Sequence, residues 1–259
     1  MQPVVFEKVT YRYEDTDAPI FQDLDISLPQ GVMSIIGQNG TGKSTLLLLA
    51  GAVLIPQAGR VLVNGTDSTE LRDEHERHRE VSFIYQNMEF ETEEPIGALL
   101  GYVYENGFHE SKNESFVREL VRVCELESCL AKKTQEVSKG QLQRAIIAFS
   151  LLYGSKLVMM DEPVFALEDY QKTRIFGYLM EYAHSAGLTV YYSVHELELS
   201  RTFSDYLMLF GNVGTMEIGP TSEMYDRTRI EEAYQVPFDM LKHKESLFRK
   251  LLSERARAG

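Results

Sequence analysis

The sequence predicts an α/β protein with a mostly parallel sheet, and two observations support that fold class. Short runs of β-type residues alternate with stretches of helical spacing, which is typical of strand–helix–strand units. The run Leu157–Met160 is apolar on both faces, as a central strand of a parallel sheet should be. Of the 259 residues, 44% are hydrophobic, so the chain can bury a substantial core and wholesale disorder is excluded.

The elements follow from this pattern in chain order. The predicted strands are Val4–Thr10, Val32–Ile36, Val61–Val63, Val81–Ile84, Leu157–Met160, Thr189–Ser193, Tyr206–Phe210 and Gly214–Ile218. The predicted helices are Ser44–Ala50, Ser115–Cys124, Gln141–Leu152, Gln171–Ala186 and Leu197–Phe203. The interval from about 87 to 155 contains no convincing strand, and we interpret it as a helical insertion in the α/β core.

Charge and hydropathy exclude several classes of protein. The net charge of −13 argues against broad binding to nucleic-acid phosphates, so no nucleic-acid partner is expected. The first ten residues lack the basic and apolar regions of a secretory signal. The longest apolar stretch, Leu46–Ile55, has about half the length needed to cross a bilayer. We therefore expect a soluble chain, held at a membrane only by other proteins.

The segment Gly37-Gln-Asn-Gly-Thr-Gly-Lys-Ser44 matches the phosphate-loop pattern G-x-x-x-x-G-K-[ST], between a predicted strand and a predicted helix. Its glycines let the backbone fold closely around phosphates and point its N–H groups inward. The following helix adds its positive N-terminal end. Lys43 would reach the β- and γ-phosphates, and the Ser44 hydroxyl would bind Mg²⁺. The sequence therefore predicts a nucleotide site.

A second motif is the pair of acids that follows the apolar strand Leu157–Met160. Asp161 would help to hold Mg²⁺ at the carboxyl end of that strand. Glu162 would point in a different direction, because successive strand residues alternate, and would polarise an attacking water. The alternative, two acids that merely cap a strand, is weakened by the phosphate loop elsewhere in the chain.

Further motifs narrow the class of nucleotide-binding protein that the sequence predicts. Val137-Ser138-Lys139-Gly140-Gln141 stands about twenty residues before Asp161 and resembles the signature of the ATP-binding cassette (ABC) family, usually Leu-Ser-Gly-Gly-Gln. Other family marks follow in order: Tyr13 ahead of the phosphate loop, Gln86 after strand Val81–Tyr85, Ala166-Leu167-Glu168 after the acids, and His195 after strand Thr189–Val194. The resemblance covers about residues 3–225.

The resemblance implies an architecture. We expect a P-loop NTPase core with a mostly parallel sheet, an N-terminal antiparallel β portion and an inserted helical subdomain. Residues 1–225 would form the ABC ATPase domain, with the helical subdomain at about 87–155, and residues 226–259 a C-terminal helical extension.

The resemblance also implies roles for single residues. Tyr13 would stack on adenine, with Tyr11 as the competing candidate. ATP would contact Gly37, Gln38, Asn39, Gly40, Thr41, Gly42, Lys43, Ser44 and Thr45. Mg²⁺ would be held by Ser44, Gln86 and Asp161. The catalytic residues would be Glu162, His195, Gln86 and Lys43, with Glu162 as the catalytic carboxylate and His195 on the γ-phosphate. Ser138, Gly140 and Gln141 would instead cap the γ-phosphate bound by a second subunit.

The chain departs from the family pattern at four positions. Lys139 replaces the first glycine of the signature and would add a cation near the opposing phosphate, while Val137 replaces leucine. Glu168 stands in place of the usual Asp and Phe165 in place of the usual Ser, in a loop that lies at the dimer seam in this family.

The resemblance implies the motor subunit of a membrane transporter, an ATPase in the cytoplasm on the inner face of the membrane. A second cassette would complete its two ATP sites, and we favour a homodimer over a heterodimer. Separate transmembrane permease subunits would be partners, and a substrate-binding protein is a further candidate. The segments beginning at Ile218 and Ile230 loosely resemble importer ATPases for metal chelates and cobalamin. The alternatives are a soluble cassette ATPase acting on nucleic acid or the ribosome, and a non-hydrolysing regulatory cassette.

Overall fold

The protein, seen in a computed structural model, is described at residues 2–164, 166–211, 215–243 and 245, with the side chain of Glu114 excepted. Its described strands form two sheets. The strands are β1 (Val4–Tyr11), β2 (Phe21–Leu28), β3 (Val32–Gly37), β4 (Ala58–Val63), β5 (Thr66–Asp67), β6 (Val81–Ile84), β7 (Leu157–Met160), β8 (Thr189–Ser193), β9 (Tyr206–Phe210) and β10 (Met216–Pro220).

The larger sheet has six strands in the order β10-β9-β3-β8-β7-β6. Strands β9, β3, β8, β7 and β6 are parallel, and β10 joins the edge antiparallel to β9. The mostly parallel sheet predicted from the sequence is therefore confirmed. Because parallel strands end at the same edge, the loops after β3, β6, β7 and β8 meet there.

The smaller sheet is antiparallel, in the order β2-β1-β4-β5, and matches the expected N-terminal antiparallel portion. Strand β2 was not predicted. Only its two end residues, Phe21 and Leu28, are fully buried, and acids at positions 23 and 25 obscure the alternation. Its place is decided by pairing with β1, a long-range contact that local pattern does not reveal.

The helices are α1 (Lys43–Ala50), α2 (Glu74–Glu80), α3 (Ile96–Asn106), α4 (Glu114–Val123), α5 (Lys139–Leu152), α6 (Asp169–Ala186), α7 (Leu197–Thr202), α8 (Thr221–Met224) and α9 (Arg227–Tyr234). Helices α3, α4 and α5 all lie between β6 and β7 in the sequence. Helix α3 was not predicted, because Gly97 and Gly101 weaken its helical pattern. Ile96, Leu100 and Tyr104 nevertheless recur on one face and are buried.

Two hydrophobic cores cover the two faces of the six-stranded sheet. In β3, Val32 and Ile36 face the core that contains residues of α5 and α6. Met33 and Ile35 face the second core, which contains residues of α1 and of the smaller sheet. Because β3 is fully buried and packed on both faces, the loop that follows it starts from a fixed point.

The C-terminal part is helical at α9 and at residues 238–243. The start of the predicted strand Gly214–Ile218 and most of the tail beyond Leu241 lie outside the described residues. Within the described ranges, no helix combines the length and apolar character needed to span a membrane.

Candidate nucleotide-binding and hydrolysis site

The predicted site residues gather at the carboxyl edge of the parallel strands. The phosphate loop follows β3, Gln86 follows β6, Asp161 and Glu162 follow β7, and His195 follows β8. This edge is where open α/β sheets bind ligands.

The phosphate loop joins β3 to α1 with a backbone that only glycine accommodates well. Gly42 is the N-cap of α1 and has φ 104°, in the left-handed region. A Cβ added to Gly42 would lie 2.9 Å from Cγ2 of Ile20, so the position has neither the conformation nor the space for a side chain. The N-terminal end of α1 therefore opens directly into the loop, as phosphate binding requires.

Lys43 is buried inside this loop. Its Nζ donates hydrogen bonds to the backbone oxygens of Gly37 at 3.0 Å and Gln38 at 2.6 Å. Burial lowers the pKa of Lys43, while the charges of Glu162 and Asp161 oppose that shift. The ammonium group thus lies on two backbone carbonyl oxygens of the loop, inside the predicted phosphate site.

Glu162 is held through both carboxylate oxygens. Gln86 Nε2 donates to Oε2 at 2.8 Å, and His195 Nε2 lies 2.8 Å from Oε1. The hydrogen bond with His195 is the main cause that lowers the pKa of Glu162, and burial acts in the opposite direction. The three side chains predicted to act together on water and the γ-phosphate are therefore in direct contact, around an ionised carboxylate.

Ser193 joins the two acids, and sequence reasoning missed it. Its Oγ donates to Asp161 Oδ1 at 2.5 Å and accepts the Glu162 backbone N–H at 2.9 Å. The only sequence signal was a serine at the end of the predicted strand Thr189–Ser193, two positions before His195. Because Ser193 is fully buried, its hydrogen bonds hold the Asp161 carboxylate and the Glu162 backbone in fixed positions.

The acids do diverge, for a reason other than the predicted strand alternation. Strand β7 ends at Met160, before either acid. Glu162 has φ 50°, a left-handed conformation that is uncommon for a residue with a side chain. The turn of the backbone, stabilised by Ser193, therefore directs Glu162 towards Gln86 and His195.

Of the two tyrosines considered for adenine, Tyr13 has the more accessible ring. Tyr13 is 37% exposed and Tyr11 only 7%. The Tyr13 hydroxyl lies 3.2 Å from Thr45 Oγ1, which places the ring beside α1. Tyr11 packs edge-on against Tyr13 and supports it. This geometry favours Tyr13 as the stacking residue.

The signature segment forms the start of α5. Ser138 Oγ accepts the backbone N–H of Gln141 at 3.2 Å, and Gln141 Oε1 accepts the N–H of Ser138 at 2.9 Å, a capping box. Among the described residues, no hydrogen bond or ion pair links Ser138, Gly140 or Gln141 to the phosphate loop. The segment is therefore capped at the start of α5 by its own side chains.

Lys139, the departure from the usual glycine, forms an ion pair with Glu89 at 2.8 Å. Glu89 lies three residues after Gln86, so the pair links the signature segment to the loop that follows β6. Gly140 packs against the loop after the acids: an added Cβ would lie 2.6 Å from the backbone oxygen of Ala166. Phe165 lies outside the described residues.

The proposed donors for Mg²⁺ suit that ion. Ser44 presents a hydroxyl, Asp161 a carboxylate and Gln86 an amide oxygen, and Mg²⁺ prefers oxygen ligands of this kind. Within the described part of the chain, no three His, Cys, Asp or Glu side chains cluster as a protein-only metal site would require. A site that also uses phosphate oxygens and water fits these residues.

Parallel strands that end at a phosphate loop, a buried lysine and a pair of acids define a phosphate-loop nucleotide-binding protein. The chain belongs to the ABC transporter family, whose sequence profile matches residues 21–165. It is accordingly an ATP-binding ATPase, and the resemblance seen in the sequence is confirmed.

Relatives and solved structures agree with this assignment. The energy-coupling factor transporter ATP-binding protein EcfA1 of Halalkalibacterium halodurans is 26% identical over 89% of this chain and 84% of that protein. The petrobactin import ATP-binding protein FatE of Bacillus anthracis is 26% identical over 88% of this chain and 92% of that protein. The ATP-binding cassette MJ0796, solved as a dimer bound to ADP and Pi, matches with a TM-score of 0.72 at 20% identity, over 84% of this chain and 98% of that chain. That likeness confirms the fold.

Proposed function

We propose that this chain is the ATP-hydrolysing subunit of a membrane importer, with residues 37–45 as its phosphate site and Glu162 as its catalytic carboxylate. The observation that carries the proposal is the contact of Glu162 with both Gln86 and His195, next to the buried Lys43. The importer assignment is supported by the relatives, one named for energy-coupling factor transport and one for petrobactin import.

In the proposed reaction, a water oxygen forms a bond to the γ-phosphorus while the bond from that phosphorus to the leaving oxygen of ADP breaks. Glu162 orients the water through a hydrogen bond and accepts its proton as the new bond forms, which an ionised carboxylate can do. Lys43 exchanges its carbonyl partners for phosphate oxygens and stabilises their charge. His195 and Gln86 keep the carboxylate aligned. Mg²⁺, held by Ser44, Asp161 and Gln86, would neutralise phosphate charge.

We further propose that a second cassette completes each site. Ser138, Gly140 and Gln141 lie at the N-terminal end of the 14-residue helix α5, which favours an anion. Among the described residues, they form no hydrogen bond or ion pair with the phosphate loop of their own chain. A symmetric dimer would bring this helix end to the partner's ATP. A homodimer is the simplest arrangement, since it requires only this chain.

Permease subunits are the proposed membrane partners, with this chain on the cytoplasmic face. The region 87–155 would serve as a helical subdomain that receives them. Beside α3 and α4 lies a hollow of about 380 Å³, lined by Leu100, Val117, Val121 and Leu130 among others. Its apolar lining suits one helix of a membrane partner.

Light scattering on Glu162→Gln, with and without Mg-ATP, tests the proposal. The variant should retain ATP binding but stall before hydrolysis, so that the closed dimer accumulates and the mass doubles. The matched control is Lys43→Ala combined with Glu162→Gln, which should stay monomeric because the phosphate cation is missing. If Glu162→Gln binds ATP and remains a monomer, the homodimer is wrong. If it hydrolyses ATP normally, the catalytic role of Glu162 is wrong.

A further inference from the structure

Helix α9 ends directly against the phosphate loop. Its last residue, Tyr234, is buried, with 8% of its surface exposed. The phenolic oxygen of Tyr234 accepts a hydrogen bond from the Gly37 backbone N–H at 3.0 Å. The backbone oxygen of Tyr234 accepts a second hydrogen bond, from the side-chain Nε2 of Gln38. One residue of the C-terminal extension thus holds two consecutive residues of the loop, although it lies far outside the region 21–165 that matches the family profile.

The two loop residues held by Tyr234 are the same two that hold Lys43. The backbone oxygens of Gly37 and Gln38 accept both hydrogen bonds of the Lys43 ammonium group. The Gln38 oxygen also accepts the Thr41 hydroxyl at 2.9 Å. A displacement of Gly37 and Gln38 would therefore move the resting place of Lys43 and the curvature of the loop together.

Helix α9 is anchored well enough to act as a support. Ile230 is fully buried and Ala233 nearly so, within the same core as α5 and α6. At its start, the Asp226 side chain accepts the N–H groups of Thr228 and Arg229, which caps the helix. Because both the body and the first turn of α9 are fixed, its last residue presents a fixed acceptor to the loop.

We propose that Tyr234 is a positioning residue for ATP: it keeps the phosphate loop in the conformation that accepts phosphate. The inference rests on the proposed phosphate site at residues 37–45. Without the phenolic oxygen, the buried N–H of Gly37 has lost its partner, and the loop spends part of its time in conformations that satisfy this group differently. The apparent nucleotide affinity is then the intrinsic affinity multiplied by the fraction of molecules whose loop remains competent. Once phosphate is bound, it orders the loop itself, so the rate of the chemical step is kept.

The test uses the full chain with the single change Tyr234→Phe, which removes the phenolic oxygen and keeps the ring. The matched control is Tyr191→Phe, another buried tyrosine, whose hydroxyl donates to the Pro29 backbone oxygen away from the site. Calorimetric titration with ADP should show a roughly three- to tenfold higher Kd for Tyr234→Phe and an unchanged Kd for Tyr191→Phe. Steady-state hydrolysis should show a higher KM with kcat nearly unchanged. In the absence of nucleotide, the backbone amide hydrogen of Gly37 should exchange faster in Tyr234→Phe than in the unmodified chain.

Several results would overturn the inference. If Tyr234→Phe lowers the melting temperature as Tyr191→Phe does but leaves Kd, KM and Gly37 exchange unchanged, Tyr234 only stabilises the fold. If Tyr234→Phe does not fold, Gln38→Met removes the other hydrogen bond, and an unchanged Kd in that variant refutes the inference. Lys43→Ala distinguishes a failure of the proposed phosphate site from a failure of the inference about Tyr234. If this variant has unchanged nucleotide affinity, the proposed phosphate site itself is wrong. If only Lys43→Ala weakens binding, the site stands and the role of Tyr234 falls.

Discussion

At the scale of single residues, Glu162 is held by hydrogen bonds to three neighbouring side chains. Its two oxygens contact Gln86 and His195, and its backbone N–H is held by Ser193. Gln86 reaches Glu162 from the end of β6, whereas Ser193 and His195 both reach it from the end of β8, so Glu162 is held from two neighbouring strand ends. A general base that is already ionised and oriented needs little rearrangement during the reaction.

Replacing Glu162 with Gln should reduce the rate of ATP hydrolysis by about 10²- to 10⁴-fold, the usual contribution of a general base. The amide can keep hydrogen bonds to its neighbours but cannot accept a proton from water. ATP affinity should change little, because Lys43 and the phosphate loop are intact. Phosphate release measured at saturating ATP would check the rate. A rate close to that of the unmodified chain would transfer the catalytic role to another group, His195 first.

The lowered pKa of Glu162 also predicts an acid-dependent loss of stability. A carboxylate whose pKa is lower in the folded state stabilises the fold above its ordinary value near 4.5, and this contribution is lost as the pH falls through the folded value. Glu162→Gln has no such titration. The urea midpoint of the unmodified chain minus that of Glu162→Gln should stay constant from about pH 7 to 5. Below about pH 5 this difference should decrease, because only the unmodified chain loses stability when Glu162 is protonated. A constant difference down to about pH 3 would contradict the pKa shift.

At the scale of elements, the start of α5 packs against the loop that follows Asp161 and Glu162. Gly140 lies where a Cβ would meet a backbone oxygen at 2.6 Å, and a backbone group cannot turn aside as a side chain can. The start of α5 can therefore lie this close to the loop at Ala166 only because position 140 has no side chain.

Two helical glycines allow this contact to be measured. Gly101 lies in α3, and nothing lies within 4 Å of a Cβ added there. Gly101→Ala should raise the free energy of unfolding by about 0.5–1 kcal/mol through helix propensity alone. Gly140→Ala should lower it despite the same intrinsic gain, because the added methyl collides with Ala166. Urea unfolding of both variants would decide, and equal stabilisation by both would disprove the tight fit.

The bounds of buried elements could be predicted from the sequence, whereas long-range contacts could not. Strands β6, β7, β8 and β9 have the predicted bounds because each is a short run of β-type residues, and β7, apolar on both faces, could be recognised as central. Strand β2 and helix α3 were missed because pairing and burial override their weak local patterns. In the candidate site, the sequence predicted the motif residues that gather at the sheet edge, but it predicted neither Ser193 nor Tyr234. Their roles depend on hydrogen bonds to residues 32 and 197 positions away, which no local spacing reveals.

For the whole molecule, the proposed dimer follows from the signature segment, which forms no hydrogen bond or ion pair with the phosphate loop among the described residues. A site that needs both segments cannot be completed within one chain. The rate of hydrolysis per chain should consequently rise with protein concentration until all chains are dimeric. This dependence distinguishes a shared site from a self-sufficient one.

Ser138→Arg should abolish hydrolysis while nucleotide binding by the monomer is kept, since the bulky side chain acts across the interface. Mixing Ser138→Arg with Lys43→Ala provides a sharper test. A mixed dimer would contain one intact site, with Lys43 from one chain and Ser138 from the other, so activity should partly return. If mixing two inactive variants restores nothing although they form dimers, Ser138 does not act on the partner's nucleotide.

The position of Tyr234 also changes where this chain can be cut. Residues 1–225 were expected to form the ATPase domain, yet a recombinant fragment ending at residue 225 would lack Tyr234 and would uncover the core contact of Ile230. Such a fragment would retain every family motif in its sequence and still carry a phosphate loop with two supporting bonds missing. We therefore expect the shortest recombinant fragment that keeps the phosphate loop supported to extend at least to the end of α9.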